Sequence, residues 1–374
     1  MSKGRFLPAV LILSTSFLAT AIQAQPALKD AFKNDFLIGT ALKESQFDGD
    51  DPRETALIKA QFNSISPGNL LKWETVHPGL KTYNFAPADQ YVEFGVENHM
   101  FIVGHTLVWH NQTPKWVFQD DQGNPVDRNT LLARLREHIF TVVGRYKGKI
   151  GGWDVVNEAL DDNGRLRQTP WLKIIGEDYI VKAYQFAHEA DPTAQLYYND
   201  YALESVSKRL GAIALIKKLR SQGIPIAGVG LQGHYKLNWP SSLEVDQTIE
   251  TFAELGLKVN ITELDMDVLP PATSSKGADI TMNFALQAKL NPYVHGLPDS
   301  VQQASAQRYA DLFAVFVKHH KDIARVTFWG VTDGDSWLNN WPVRGRTAYP
   351  LLFDRNCQPK SAFDTVIQTA HSGQ

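Results

Sequence analysis

One pattern limits the folds open to this chain of 374 residues: short β-rich runs alternate with helical segments from end to end. The runs are FLIGTAL (36–42), SISPGNLLKW (64–73), FIVGHTLVWH (101–110), GGWDVVNE (151–158), AQLYYND (194–200), IAGVGLQGHY (226–235), KVNITELD (258–265) and RVTFWGVTD (325–333). Several are nearly continuous apolar stretches, as parallel strands covered on both faces require. Between them apolar residues recur every three or four positions, as in LLARLREHIFTVVGRY (131–146), SKRLGAIALIKKLRSQG (207–223) and SAQRYADLFAVFVKHHKD (305–322). Eight strand–helix repeats predict an α/β fold, a single-domain (β/α)8 TIM barrel. An open doubly wound sheet competes, but no Gly-rich nucleotide-binding turn follows the first run. One connection is oversized, residues 266–299 after the seventh run. A long βα loop belongs on the barrel face that carries an active site.

The barrel is expected over residues 25–374, because the first 24 residues read as an export signal. Lys3 and Arg5 precede the apolar stretch FLPAVLILSTSFLATA, and small residues follow up to Ala24. Serines and threonines interrupt that stretch, which is too short to span a bilayer comfortably. The expected location is therefore secreted or periplasmic, with no membrane association once the signal is removed. Its removal leaves 35 Lys and Arg against 40 Asp and Glu, a net charge of −5. That balance gives no reason to expect nucleic acid as a partner. Cys357 is the only cysteine, so no internal disulfide can form, and it is expected to serve as a small buried apolar residue. No coiled-coil pattern or obvious extra interface is visible, and a monomer is expected.

The strand ends carry the chemistry. Strand 2 closes on Asn69, Lys72 and Trp73, strand 3 on His105, Trp109 and His110, and strand 4 on Asn157 and Glu158. Strand 5 closes on Asn199 and Asp200, strand 6 carries Gln232 and His234, strand 7 carries Glu263 and Asp265, and strand 8 carries Trp329 and Asp333. In a barrel all of these are expected to converge on one rim. Neutral ends would scatter Gly, Ser, Asn and Lys into water, whereas these are carboxylates, imidazoles, amides and indoles. No HExxH or paired-Cys motif points to a metal, although three histidines could meet in space, and no GxSxG elbow supplies a serine nucleophile. Lys72 could form a Schiff base or recognise hydroxyls equally well. Two carboxylates ringed by indoles suit glycoside hydrolysis, where one acid protonates the leaving oxygen and the other attacks or stabilises the anomeric centre. Sugar faces also pack their C–H groups on tryptophan.

At this point the motifs GNLLKWE (68–74), HTLVWH (105–110), WDVVNEA (153–159), YYNDY (197–201), GLQGHY (230–235), ITELD (261–265) and FWGVTDGDSW (328–337) can be read together. In this order the chain resembles the family ten glycoside hydrolases, the endo-β-1,4-xylanases built on (β/α)8 barrels. The resemblance implies xylan and xylooligosaccharides as partners, a retaining double displacement, and neither cofactor nor metal. It implies Glu158 as acid/base and Glu263 as nucleophile, their carboxyls about 5–5.5 Å apart. It places Asn157 on the sugar 2-hydroxyl and His234 between Glu263 and Asp265, where it positions the nucleophile. Asn69, Lys72, His105, Gln232 and, just after strand 1, Glu44 would bind hydroxyls. Trp109, Trp329 and Trp337 would wall the sugar, and Tyr201 would contact the leaving-group side. Ala202 after NDY, the 266–299 segment and the lack of a cysteine pair depart from the family. The alternatives are a barrel glycosidase on another β-1,4-glycan such as cellulose, and a non-catalytic carbohydrate-binding barrel.

Overall fold

The computed structural model describes Met1, residues 27–273 and residues 278–372. The export signal expected over residues 1–24 thus lies, but for Met1, outside the described residues. Eight parallel strands close on themselves: β1 (Leu37–Leu42), β2 (Ser64–Pro67), β3 (Phe101–Val108), β4 (Gly152–Asn157), β5 (Gln195–Asp200), β6 (Ile226–Leu231), β7 (Lys258–Asp267) and β8 (Ile323–Phe328). Each pairs with its neighbour in sequence and β8 returns to β1, so no edge is left open. Eight helices follow the strands in turn: α1 (Pro52–Gln61), α2 (Ala86–Glu97), α3 (Arg128–Arg145), α4 (Asp178–Ala190), α5 (Val206–Ser221), α6 (Ser242–Glu254), α7 (Asp299–Lys318) and α8 (Ser361–Ser372). The expected TIM barrel is the fold observed.

Local sequence explains the elements. In α3, Asp127 caps the helix by accepting from the Thr130 amide at 2.8 Å, and Leu131, Leu135, Ile139 and Val142 bury one stripe against the strands. Helix α6 starts with a reciprocal capping box between Ser241 and Glu244. Between neighbouring strands the fit is tight: a Cβ on Gly104 would lie 2.1 Å from the Trp153 ring. Only glycine can stand opposite that indole.

Three strands end well short of the apolar runs that predict them. Strand β2 stops at Pro67, after which the chain turns so that the Lys72 amide donates to Asn69 and a short helix begins at Trp73. Strand β6 breaks at Gln232 and Gly233, the latter at φ +81°, and resumes as His234–Lys236 against β7. Strand β8 ends before Trp329. The released residues sit in loops at the carboxyl rim. After Ala278 the long segment that follows β7 packs on the loop after β8, with Phe284 N–H donating to Pro342 and Trp341 Nε1 to the Asp279 carbonyl. Cys357 differs from expectation: it is half-buried in a surface turn at φ +62°, because the chain reverses between Asp354 and Gln358.

Candidate active site

A cleft of about 580 Å³ opens at the carboxyl end of the barrel. It is lined by Asn69, Lys72, His105, Trp109, Asn157, Glu158, Gln232, His234, Glu263, Trp329 and Trp337. Strands β4 and β7 deliver the two glutamates into it. Glu158 Oε2 accepts from Trp109 Nε1 at 2.9 Å, and Oε1 accepts from Gln232 Nε2 at 2.9 Å. Glu263 Oε1 accepts from Asn199 Nδ2 at 2.8 Å, while Oε2 lies 3.2 Å from His234 Nε2. Asn199 also donates to Asn157 Oδ1 at 3.0 Å, and Gln232 reaches the same oxygen at 3.3 Å. The amides of three strands therefore tie the two carboxyls into one network.

Electrostatics separate the pair. Burial pushes Glu158 above the usual carboxyl range, and the negative charge of Asp200 adds to the push. Burial acts the same way on Glu263, but the hydrogen bond from His234 and the positive field of His105 and His234 outweigh it and hold this carboxyl low. His234 is itself raised to about 10: burial opposes its charge, and Asp265 at 3.1 Å together with Glu263 overcomes that. As an imidazolium it donates from both nitrogens. Asp265 is fixed in turn by Trp337 Nε1 at 2.7 Å. The two carboxyls are thus pushed in opposite directions, Glu158 toward holding a proton and Glu263 toward the ionised form, which is the division of labour that acid-assisted displacement needs.

The sequence and its fold can be compared with known proteins. The model of glycosyl hydrolase family 10 matches residues 27–369. The chain belongs to glycosyl hydrolase family 10. A similar curated relative is the endo-1,4-beta-xylanase A of Xylanibacter ruminicola, 45% identical over 351 residues, which is 94% of this chain and 95% of that one. Among solved structures, an endoxylanase of this family from a sugarcane soil metagenome superposes with a TM-score of 0.88 at 44% identity, covering 91% of this chain and 99% of the other. A mutant solved in complex with xylotriose gives 0.81 at 36% identity, covering 91% and 99%.

Within this family-10 barrel the residues expected at the site divide into three groups. Those named in the cleft above lie together. Asp265 stands behind it, against His234 and Trp337. Tyr201 is buried outside the cleft lining, with its hydroxyl on Arg167 and Asp162. Glu44 is exposed in a short turn after β1 and does not line the cleft, where Lys43 stands instead, paired with Asp335. The polar strand ends also fail to converge completely. Asp200 is buried against Lys208, Asp333 against Lys360, and His110 lies beside Asn111, all outside the cleft lining.

Other residues complete the site without having been expected there. Gln112 accepts from Lys72 Nζ at 2.9 Å and donates to Asn69 at 3.1 Å, so the three form one hydrogen-bonded triangle. Lys72, pushed down to about 8 by burial against the pull of Glu263 and Glu158, sits 4.8 Å from the Trp109 ring centre. Ala278, Ile280 and Asn340 bring the long β7 loop and the β8 loop to the cleft wall. Asn199 was visible as a polar strand end; its contact with Glu263 depends on the barrel's closure. Among the described residues no group of His, Cys, Asp or Glu is arranged to hold a metal ion, and no helix is long and apolar enough to cross a membrane.

Proposed function

We propose that this chain is a secreted endo-β-1,4-xylanase that works by retention, with Glu158 as acid/base and Glu263 as nucleophile. The observation that carries the reading is the pair of carboxyls in one cleft with opposite proton affinities, joined by the Asn157, Asn199 and Gln232 amides. In the first step a Glu263 oxygen bonds to the anomeric carbon, the glycosidic C–O bond breaks, and the leaving oxygen takes the Glu158 proton. In the second, water attacks the same carbon and gives a proton to the Glu158 carboxylate, and the bond to Glu263 breaks.

Xylan is the substrate favoured by the relatives named as xylanases and by the one solved with xylotriose. Asn69, Lys72, Gln112 and His105 offer hydroxyl partners on one side of the carboxyls, and Trp109, Trp329 and Trp337 offer stacking surface. The charged and apolar composition of residues 1–24 supports export to the periplasm or medium, and the enzyme is proposed to act there as a monomer on the polysaccharide alone. Proton NMR of the first product from a xylooligosaccharide tests the mechanism. The β-anomer should appear first; an initial α-anomer overturns the double displacement.

A further inference from the structure

Glu158 is the residue on which the proton transfer turns, and its backbone occupies an unusual conformation. Its φ is +56°, in the left-handed region that residues with a Cβ rarely adopt. Such a conformation persists only where the surroundings fix it. The amide side of the residue is held by β5, since the Glu158 N–H donates to the Asn199 carbonyl at 2.9 Å. The carbonyl side is held by Arg167.

The chain after Glu158 forms a small hairpin that brings Arg167 back beneath the turn. Leu160 pairs with Leu166, the Asp161 amide donates to Arg165 at 2.8 Å, and the Arg167 amide donates to Ala159 at 2.8 Å. The guanidinium then donates from Nε to the Glu158 carbonyl at 3.2 Å, and from one terminal nitrogen to the Leu160 carbonyl at 3.0 Å and the Tyr201 hydroxyl at 2.8 Å. Tyr201 passes the link to Asp162 at 3.2 Å. A planar fork that holds the Glu158 carbonyl and the Leu160 carbonyl together restricts the turn leaving Glu158 more than a single-point donor could. From this backbone position the side chain of Glu158 meets Trp109 with one oxygen and Gln232 with the other.

We propose that Arg167 is a positioning residue for the acid/base: it locks the left-handed turn at Glu158 and so aims the carboxyl at the leaving oxygen, without touching substrate itself. The inference rests on Glu158 being the proton donor, and the test separates the two claims. Aryl xylobiosides of graded phenol acidity report how much protonation the leaving group requires. Arg167→Met, which keeps length and removes every donor, should lower kcat/KM on xylotriose by about 10²-fold, at the lower end of what general-acid catalysis supplies. On the aryl xylobioside with the most acidic phenol kcat/KM should fall less than about threefold, so the plot of rate against phenol acidity should steepen. Arg167→Lys, which retains the charge and loses the fork, should fall between the two. A uniform loss across all leaving groups, or no loss on any, overturns the proposal. If Glu158→Ala itself shows no dependence on the leaving group, the role of Glu158 fails first. Should Arg167→Met not fold, Arg167→Lys carries the same comparison alone.

Discussion

The pair behind the cleft offers a prediction whose size follows from the structure. Asp200 and Lys208 are both 0% exposed, and Nζ lies 2.8 Å from Oδ1. Breaking a buried ion pair by removing one partner costs about 3–5 kcal/mol, because the survivor is left charged and dry. The two survivors are not equivalent here. In Lys208→Met the Asp200 carboxylate still accepts from Tyr198 OH at 2.5 Å and the Tyr201 amide at 2.9 Å, which places the loss near about 3 kcal/mol. In Asp200→Asn the lysine loses its carboxylate partner and keeps the face of Tyr201, 3.3 Å from the ring centre, and the loss should be larger. With about 2.1 cal/mol/K of unfolding entropy per residue, 3 kcal/mol over some 350 residues lowers Tm by about 4 °C.

The pH dependence has a definite sign. Burial already pushes Asp200 above the usual carboxyl range, with Lys208 opposing it, so without Lys208 the acid is pushed up further. A group whose folded value is raised takes up a proton on folding, and that stabilisation is lost as pH rises. Lys208→Met should therefore melt closer to wild type at pH 5 than at pH 8. The double variant Asp200→Asn with Lys208→Met should recover most of the loss, since neither charge remains. It should also move the basic limb of the activity profile to lower pH, because Asp200 is the charge that helps hold the proton on Glu158. Scanning calorimetry of the four proteins at two pH values measures the cycle. An unchanged Tm for Lys208→Met at pH 8, or a double variant less stable than both singles, would refute the reasoning.

Glu158→Ala should lose activity on xylan by about 10²–10⁴-fold yet still react with an activated aryl xylobioside, with azide releasing the β-glycosyl azide. Glu263→Ala should be nearly inactive on both substrates, and equal losses in the two variants without azide rescue would overturn the assignment of roles. His234→Asn removes the cation that holds Glu263 low, so the acidic limb of kcat/KM should shift toward neutral pH; an unmoved limb would reduce His234 to packing. His77 and His138 face each other Nδ1 to Nδ1 at 3.1 Å in the core, an arrangement with room for one proton. Burial holds His77 down at about 4 against an ordinary 6.5, so stability should be full above 6.5 and fall as pH drops toward 4, read as declining melting temperature.

The sequence by itself determined the strand–helix alternation, because the covering of each strand on both faces is written as apolar runs, and helix spacing is written in the residues between them. It also determined which chemistry the rim can host, since Glu158, Glu263, Asn157, Gln232, His234 and the three tryptophans are fixed in type and in order along the chain. A strand end says which residue is at the rim but not which way it turns. Asp200 and Asp333 ended strands as plausibly as Glu263, yet Lys208 from α5 and Lys360 just before α8 neutralise them in the packing behind the cleft. Glu44 and Lys43 are neighbours, and only the register of β1 against the β8 loop puts the lysine at the cleft. The left-handed turn at Glu158 carries no glycine to announce it, and Arg167, nine positions later, shows no periodicity that would tie it there. Most of all, two glutamates with the same intrinsic acidity acquire opposite proton affinities. That difference comes from burial and from the charges of Asp200, His105 and His234, which only closure of the barrel brings within reach.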